Sequence, residues 1–262
     1  MKRTILLTWD VEEYDAPADF GAVPLADGGL ARGVEIWREW LETSSRWKAP
    51  GTAFTTARLA EAGADLLKQT QSRDHEIASH AWSHEKGSDL QLEKSRRQIS
   101  ELAGIEVVGF RSPRLRPVPL QEIKSAGYRY DASSNPAIVP GRYWRISQKR
   151  KPHRESGIWQ VPASVLPLVR FPLFWASFHL LPLPLYLVAC RLLTAWDGVL
   201  TLYFHPWELS ELGEREIPFW IHCRRAAAIC SFSSGTMADD QETESFQREL
   251  KTRSSSGPPR SW

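Results

Sequence analysis

The chain has 262 residues, 42% hydrophobic and 24% charged, a composition that suits a globular protein with a large core and excludes a disordered or fibrous one. Its net charge of +2 excludes the strongly basic balance of a nucleic-acid binder, and its three cysteines support neither a disulfide framework nor a Cys-rich zinc site. Met1-Lys2-Arg3 is followed by a run too short and too soon polar for an export signal, so a cytoplasmic, reducing location is expected.

Taken in order, Ile5 to Trp9 is a continuous apolar run, the pattern of a buried parallel strand, and it ends on Asp10, Glu12, Glu13 and Asp15. In extended chain Asp10 and Glu12 point to one side and Val11 to the other; a solvated acidic loop would carry the same letters. Ala16 to Arg32, rich in Gly, Pro and Asp, predicts a loop. From Gly33 the spacing of Val34, Trp37, Trp40 and Leu41 predicts an amphipathic helix closed by Pro50-Gly51. Thr52 to Thr56 predicts a strand, with a helix through Leu59, Leu66 and Leu67 behind it. His75 to Ser79 predicts the next strand, which runs straight into His80-Ala81-Trp82-Ser83-His84. Two imidazoles four residues apart can face one divalent ion from successive turns or a tight bend, but a carboxylate must come from elsewhere in the chain. The zincin arrangement is excluded, because it needs Glu after the first His and this chain has Ala81.

Ser88 to Gly104 predicts a helix with Ser88 and Gln91 as a capping box and Gly104 as its stop. Ile105 to Phe110 predicts a strand delivering Arg111-Ser112-Pro113-Arg114, followed by a helix over Leu120 to Ala126 and a strand over Tyr128 to Asp131. Asn135 to Ser156 reads as a basic loop, a solvated face or an anion site. A strand resumes at Ile158 to Pro162. Phe171 to Cys190 holds no formal charge, but Pro172, Pro182, Pro184 and His179 speak against a membrane span. The next strand, Leu200 to Phe204, ends at His205 and must rejoin the sheet, so a buried or interfacial hairpin of short helices is expected between them. The twelve tryptophans suit core packing or sugar stacking. Beyond Leu212 the pattern fades, and 213–262 is expected to be a partly disordered extension. Alternating strands and helices predict an α/β protein with a parallel sheet or barrel, whose site lies at the C-terminal strand ends.

Thr8-Trp9-Asp10-Val11-Glu12, His80 to His84, Arg111-Ser112-Pro113, Trp159-Gln160-Val161-Pro162 and Phe204-His205-Pro206 stand in the order and at the spacing of five motifs. In this the chain resembles the polysaccharide deacetylases, the NodB-like carbohydrate esterases, from about Lys2 to Leu212. The resemblance implies a deacetylase domain over 1–212, folded as a distorted, seven-stranded (β/α) barrel of the NodB type. It implies hydrolysis of an N-acetyl or N-formyl group from an amino sugar with a divalent metal, zinc by preference, held by Glu12, His80 and His84. Asp10 would be the general base, held ionised by Arg111, although an exchange of roles between Asp10 and Glu12 stays open. His205 would be the general acid. Trp159, Pro162 and Pro113 would border the substrate, with Trp159 equally readable as core; His75, His153, His179 and His222 read as structural.

The expected substrate is a cytoplasmic or lipid-linked glycan precursor, with no nucleic-acid partner. The apolar 166–191 segment and its basic neighbours would permit peripheral contact with the inner membrane surface. Two other readings stay open: a metal-independent, allantoinase-like cyclic amide hydrolase, and a catalytically silent glycan-binding protein.

Overall fold

The computed structural model describes residues 3–16, 25–46, 49–139 and 143–210; the expected extension over 213–262 lies outside them. The elements in chain order are β1 (Thr4–Val11), α1 (Leu30–Ser45), β2 (Thr52–Thr55), α2 (Ala57–Ala62), α3 (Ala64–Ser72), β3 (Glu76–Ser79), α4 (Leu92–Ala103) and β4 (Gly109–Phe110). There follow α5 (Leu120–Ser125), β5 (Tyr130–Asp131), β6 (Ile138–Val139), β7 (Tyr143–Trp144), β8 (His153–Glu155), β9 (Ile158–Gln160), α6 (Trp175–Leu180), α7 (Leu183–Asp197) and β10 (Val199–Phe204).

One sheet runs in the order β10-β1-β2-β3-β4-β5-β9-β8. Its first seven strands are parallel, the number expected, and β8 adds an eighth, antiparallel to β9 at the edge. Among the described residues no strand pair closes the sheet, but the chain leaving β9 reaches back to β10. The Ser164 amide donates to the Thr201 carbonyl at 3.1 Å, and the Thr201 amide to Ser164 Oγ at 2.8 Å. The result is a distorted, incompletely closed strand-helix barrel.

Parallel register carries one layer of residues round the interior: Asp10 lies beside Phe54 and Phe54 beside Ala78, while Gly109, Tyr130 and Trp159 continue the layer on the far strands. Gly109 has no substitute here, since a Cβ would fall inside the Tyr130 ring. Two residues further along each strand, the same face presents Glu12, His80 and Arg111. On the outer face the helices bury Trp9, Trp37 and Trp40, with Trp9 5.4 Å from Trp40 and 5.8 Å from Phe204. The Trp37 indole donates to Thr70 Oγ1, so this large ring is buried without an unmet polar atom.

Several boundaries differ from expectation. The Ser88/Gln91 capping box does not form, because Ser88 Oγ donates to the Ser83 carbonyl and Gln91, in a left-handed conformation, precedes a helix that begins only at Leu92. The strand over Ile105 to Phe110 pairs only at Gly109–Phe110. The stretch expected as loop after Asn135 contains β6, β7 and β8, which period-two reading misses in elements of two or three residues. The charge-free run folds as the expected helical hairpin, but α7 is a full helix of 15 residues rather than a short one.

Candidate metal and catalytic site

Glu12 follows the last residue of β1 and His80 the last residue of β3, so two parallel strands on either side of β2 aim them at one point. His84 is brought to the same point by a loop rather than a helix. Ala81 is left-handed (φ 65°), and the turn is held from behind where the Ala57 and Arg58 amides at the start of α2 donate to the Ala81 and Trp82 carbonyls. Glu13 ties β1 to it, as its Oε2 accepts from the His84 amide and from Thr56 Oγ1.

Each imidazole has its tautomer fixed by a partner that can only accept. His80 Nδ1 donates to the Arg111 carbonyl at 2.9 Å, and His84 Nδ1 to Asp15 Oδ1 at 2.9 Å. Both Nε2 lone pairs therefore face Glu12 Oε2, at 3.0 and 3.2 Å. Lone pairs opposed to a carboxylate at this range repel unless a cation lies among them. Glu12 Oε2 and His80 Nε2 are buried and have no hydrogen-bond partner, which is the condition of ligand atoms made for an ion. The Glu12, His80 and His84 donor atoms lie within 4.8 Å of one another. Burial, then the Asp10, Asp15 and Glu13 charges, push the Glu12 carboxyl well above its usual range. Burial pushes His80 down to about 3, so it is neutral and able to ligate near neutral pH. Two imidazoles and one carboxylate fit a divalent transition metal, zinc among them, with positions left for water and substrate.

Beside this trio Arg111 Nη1 donates to Asp10 Oδ1 at 2.6 Å, with both side chains buried. Burial alone would raise the Asp10 carboxyl, but the guanidinium, helped by His80 and His205, outweighs it and holds Asp10 below its usual value. His205, at the end of β10, brings Nε2 within 3.9 Å of Glu12 Oε1. Its Nδ1 donates to Glu208 Oε1 at 3.0 Å, and Glu208 Oε2 accepts from His179 Nε2 at 2.8 Å. Burial would raise Glu208 too, yet its hydrogen bonds to the two imidazoles keep it low and hence ionised. Trp175 stands edge-on to His205 at 5.4 Å and Trp207 stacks on it at 5.2 Å.

With this geometry in place, the chain matches the family model for polysaccharide deacetylase. The match spans residues 2–130. Its fold is shared by a Mycobacterium smegmatis protein assigned as a polysaccharide deacetylase, at 18% identity and a TM-score of 0.60, over 99% of this chain and 96% of the other. A Pseudomonas aeruginosa PAO1 protein with the same assignment gives 16% identity and a TM-score of 0.59, over 95% and 90%. Puue allantoinase gives 17% and 0.55, over 87% and 82%. These neighbours identify the architecture as the NodB-type barrel expected. No curated protein matches the chain.

Asp10, Glu12, His80, His84 and Arg111 come together as a buried group, with the partly exposed His205 at its edge. Trp159 packs in the interior layer with Phe54 and Tyr130, while Pro113 and Pro162 are buried in the segments that follow β4 and β9. The motifs did not indicate four further participants. Glu208 was readable as the acid three residues after His205, the spacing of a helix cap, and Asp15 belonged to the acidic cluster. Arg114 donates to Asp15 Oδ2 at 2.8 Å and so fixes the carboxylate behind His84. His179 carries no sequence signal, since only the folded hairpin brings it to Glu208.

Proposed function

We propose that this protein is a metal-dependent amidohydrolase that removes an N-acyl group, acetyl or formyl, from an amino sugar. The observation that carries the reading is the convergence of Glu12 Oε2 and the His80 and His84 Nε2 atoms, two of the three buried without hydrogen bonds, beside an Arg111-bound Asp10. When bound there, a divalent ion, zinc by the character of its ligands, polarises the acyl oxygen and lowers the pKa of water toward ~7.

The chain's own groups do the rest. Asp10, kept ionised by Arg111, takes a proton from the attacking water as the new C–O bond forms. The C–N bond then breaks, and the amine departs with a proton from His205 Nε2. Glu208, hydrogen-bonded to the opposite ring nitrogen, holds the ring in place. Without that proton an amine is a very poor leaving group. The partly exposed Trp175 ring, edge-on to His205, offers apolar surface for a sugar or its acyl methyl, while the buried Trp207 backs the imidazole. Glu12 serves as ligand rather than base in this scheme because it faces both imidazoles, whereas Asp10 faces Arg111. A lipid-linked glycan precursor is the substrate class we favour, since the helical hairpin that supplies Trp175 and His179 also carries the apolar surface treated below.

The test is acyl release from a panel of N-acetyl and N-formyl amino sugars, free and polyprenyl-linked, by metal-loaded protein, chelated protein and Asp10→Asn. Release that disappears on chelation, returns with zinc, and is absent in Asp10→Asn is expected. Release that survives chelation would replace this reading with a metal-free amidohydrolase, and stoichiometric zinc binding with no release from any sugar would replace it with a binding protein.

A further inference from the structure

Ten of the eleven large apolar side chains exposed among the described residues fall between Trp144 and Trp196. On α7 they form a stripe: Leu185, Val188, Leu192 and Trp196 recur at three- and four-residue steps, and Leu185, Leu192 and Trp196 are 54%, 63% and 69% exposed. Arg191 is the one charged residue on that outward side. A surface helix of a soluble protein normally turns polar side chains to water, so this stripe is reversed. The loop before α6 adds Leu168, 88% exposed, and Val169. The two regions are joined: Arg150 Nη1 donates to the Val165 carbonyl ahead of that loop and to Asp197 at the end of α7.

The charge of the same stretch names the partner. Residues 143–197, to the end of α7, hold seven Lys or Arg against one Glu and one Asp, a net +5, whereas the whole chain nets +2. The positive charge of the molecule is thus gathered where its apolar side chains are exposed, while the remaining residues are net negative. An apolar stripe with a tryptophan at its end, set among cations, matches the boundary of an anionic bilayer, where acyl chains receive the stripe and phosphates receive the cations. We infer that the face formed by α7 and the 166–171 loop docks the protein on an anionic lipid surface, with α7 lying in the plane. Among the described residues no helix is long and apolar enough to cross a membrane, and the 15 residues of α7 extend about 22 Å against a hydrocarbon thickness of about 30 Å.

This deepens the proposed function and rests on it for one consequence only. Because α6 presses Trp175 against His205 and continues into α7, docking would hold the site beside the lipid surface, as a lipid-linked amino sugar requires.

The experiment is co-sedimentation of the full chain with phosphatidylglycerol-containing vesicles and with pure phosphatidylcholine vesicles, for wild type and a Leu185→Glu/Leu192→Glu variant. Both leucines are largely solvent-exposed, so the variant should keep its fold, which far-ultraviolet circular dichroism checks independently of activity. Wild type is expected to pellet with the anionic vesicles, to lose binding as salt rises, and to bind the neutral ones weakly; the variant should bind about tenfold less or worse. Wild type left in the supernatant, binding undiminished in a folded variant, or a self-association that the variant abolishes without any vesicle binding would each overturn the inference. Failure of acyl release on every sugar leaves this readout intact, so the two readings fail separately.

Discussion

The Asp10–Arg111 pair supplies the sharpest test of how this site is held together. Arg111 is 1% exposed and Asp10 4%, and their 2.6 Å contact is the direct charge partner of each. Replacing Arg111 by Met leaves a carboxylate buried without its counter-charge, which costs about 3–5 kcal/mol when one member of a buried pair is removed. The Arg111 Nε bond to the Ala132 carbonyl and its stacking over Phe54 at 4.2 Å are lost as well, adding about 1–2 kcal/mol. The His80 tautomer should survive, since it depends on the Arg111 backbone carbonyl, which any residue supplies. In wild type the Asp10 carboxyl is depressed, so its stabilisation is present above the ordinary value of 3.8 and is lost as pH falls through the folded value. In Arg111→Met burial dominates and the sign reverses: the variant should recover stability relative to wild type as pH is lowered from 7 toward 4. Urea unfolding of chelated protein at several pH values measures this. The double variant Asp10→Asn/Arg111→Met should cost no more than the worse single variant, because neither charge is stranded. A deficit that does not change with pH, or a double variant at the sum of the singles, would refute the account of a mutually dependent pair.

Two further outcomes follow from the hydrogen bonds. Glu208→Gln keeps an acceptor for the His205 amide but removes the charge facing His205 Nδ1 and His179, so kcat for acyl release should fall about 10–100-fold with little change in KM; an unchanged kcat would remove Glu208 from the proton-donating machinery. Buried His75, whose Nδ1 accepts from the Gly51 amide, is held below its usual 6.5 mainly by desolvation. The unfolded chain therefore binds a proton that the folded one refuses, so stability is full above pH 6.5 and declines below it, by up to about 1.4 kcal/mol per pH unit from this residue. Denaturation midpoints of wild type and His75→Gln between pH 7.5 and about 5 check this, and parallel slopes would refute it.

What could be read from the sequence followed from regular backbone. Strands β1, β2, β3 and β10 are four to eight residues long; Asp10 is the last residue but one of β1, and Glu12, His80 and His205 directly follow β1, β3 and β10, so the existence of these strands and their placement of the four side chains were legible. The side-chain period of two was enough to put Asp10 and Glu12 on one face. It could not tell them apart in role, because that distinction depends on Arg111 arriving across β2 and β3 from 101 residues away. Strands β4 and β5 are two residues each, below the length at which any periodicity exists, and only their neighbours' hydrogen bonds make them strands. Ser88 and Gln91 had the spacing of a cap, but local bonds to Ser83 and Asp89 captured both groups first.

The run from Phe171 to Cys190 shows why composition alone under-determined its part. Read as letters it is mostly apolar, yet folding sorts it into opposed duties: Phe178, Tyr186 and Cys190 enter the core, Trp175 and His179 reach the site, and Leu185 and Val188 face solvent. No sequence period separates the three, because two helices of different length meet at Leu181-Pro182 and their faces are not in phase. The same geometry couples them. His179 reaches Glu208 only while α6 stays packed, and α6 is positioned by Phe178 against Tyr186 of α7 at 5.4 Å. A force that reorients α7 would therefore act through that ring contact on the carboxylate holding His205. On the proposed roles, binding at the outer face of α7 and proton donation at His205 would be linked through these contacts, so that Phe178→Leu, which loosens the Phe178–Tyr186 contact, should lower kcat for acyl release with KM unchanged, and an unchanged kcat would refute the link.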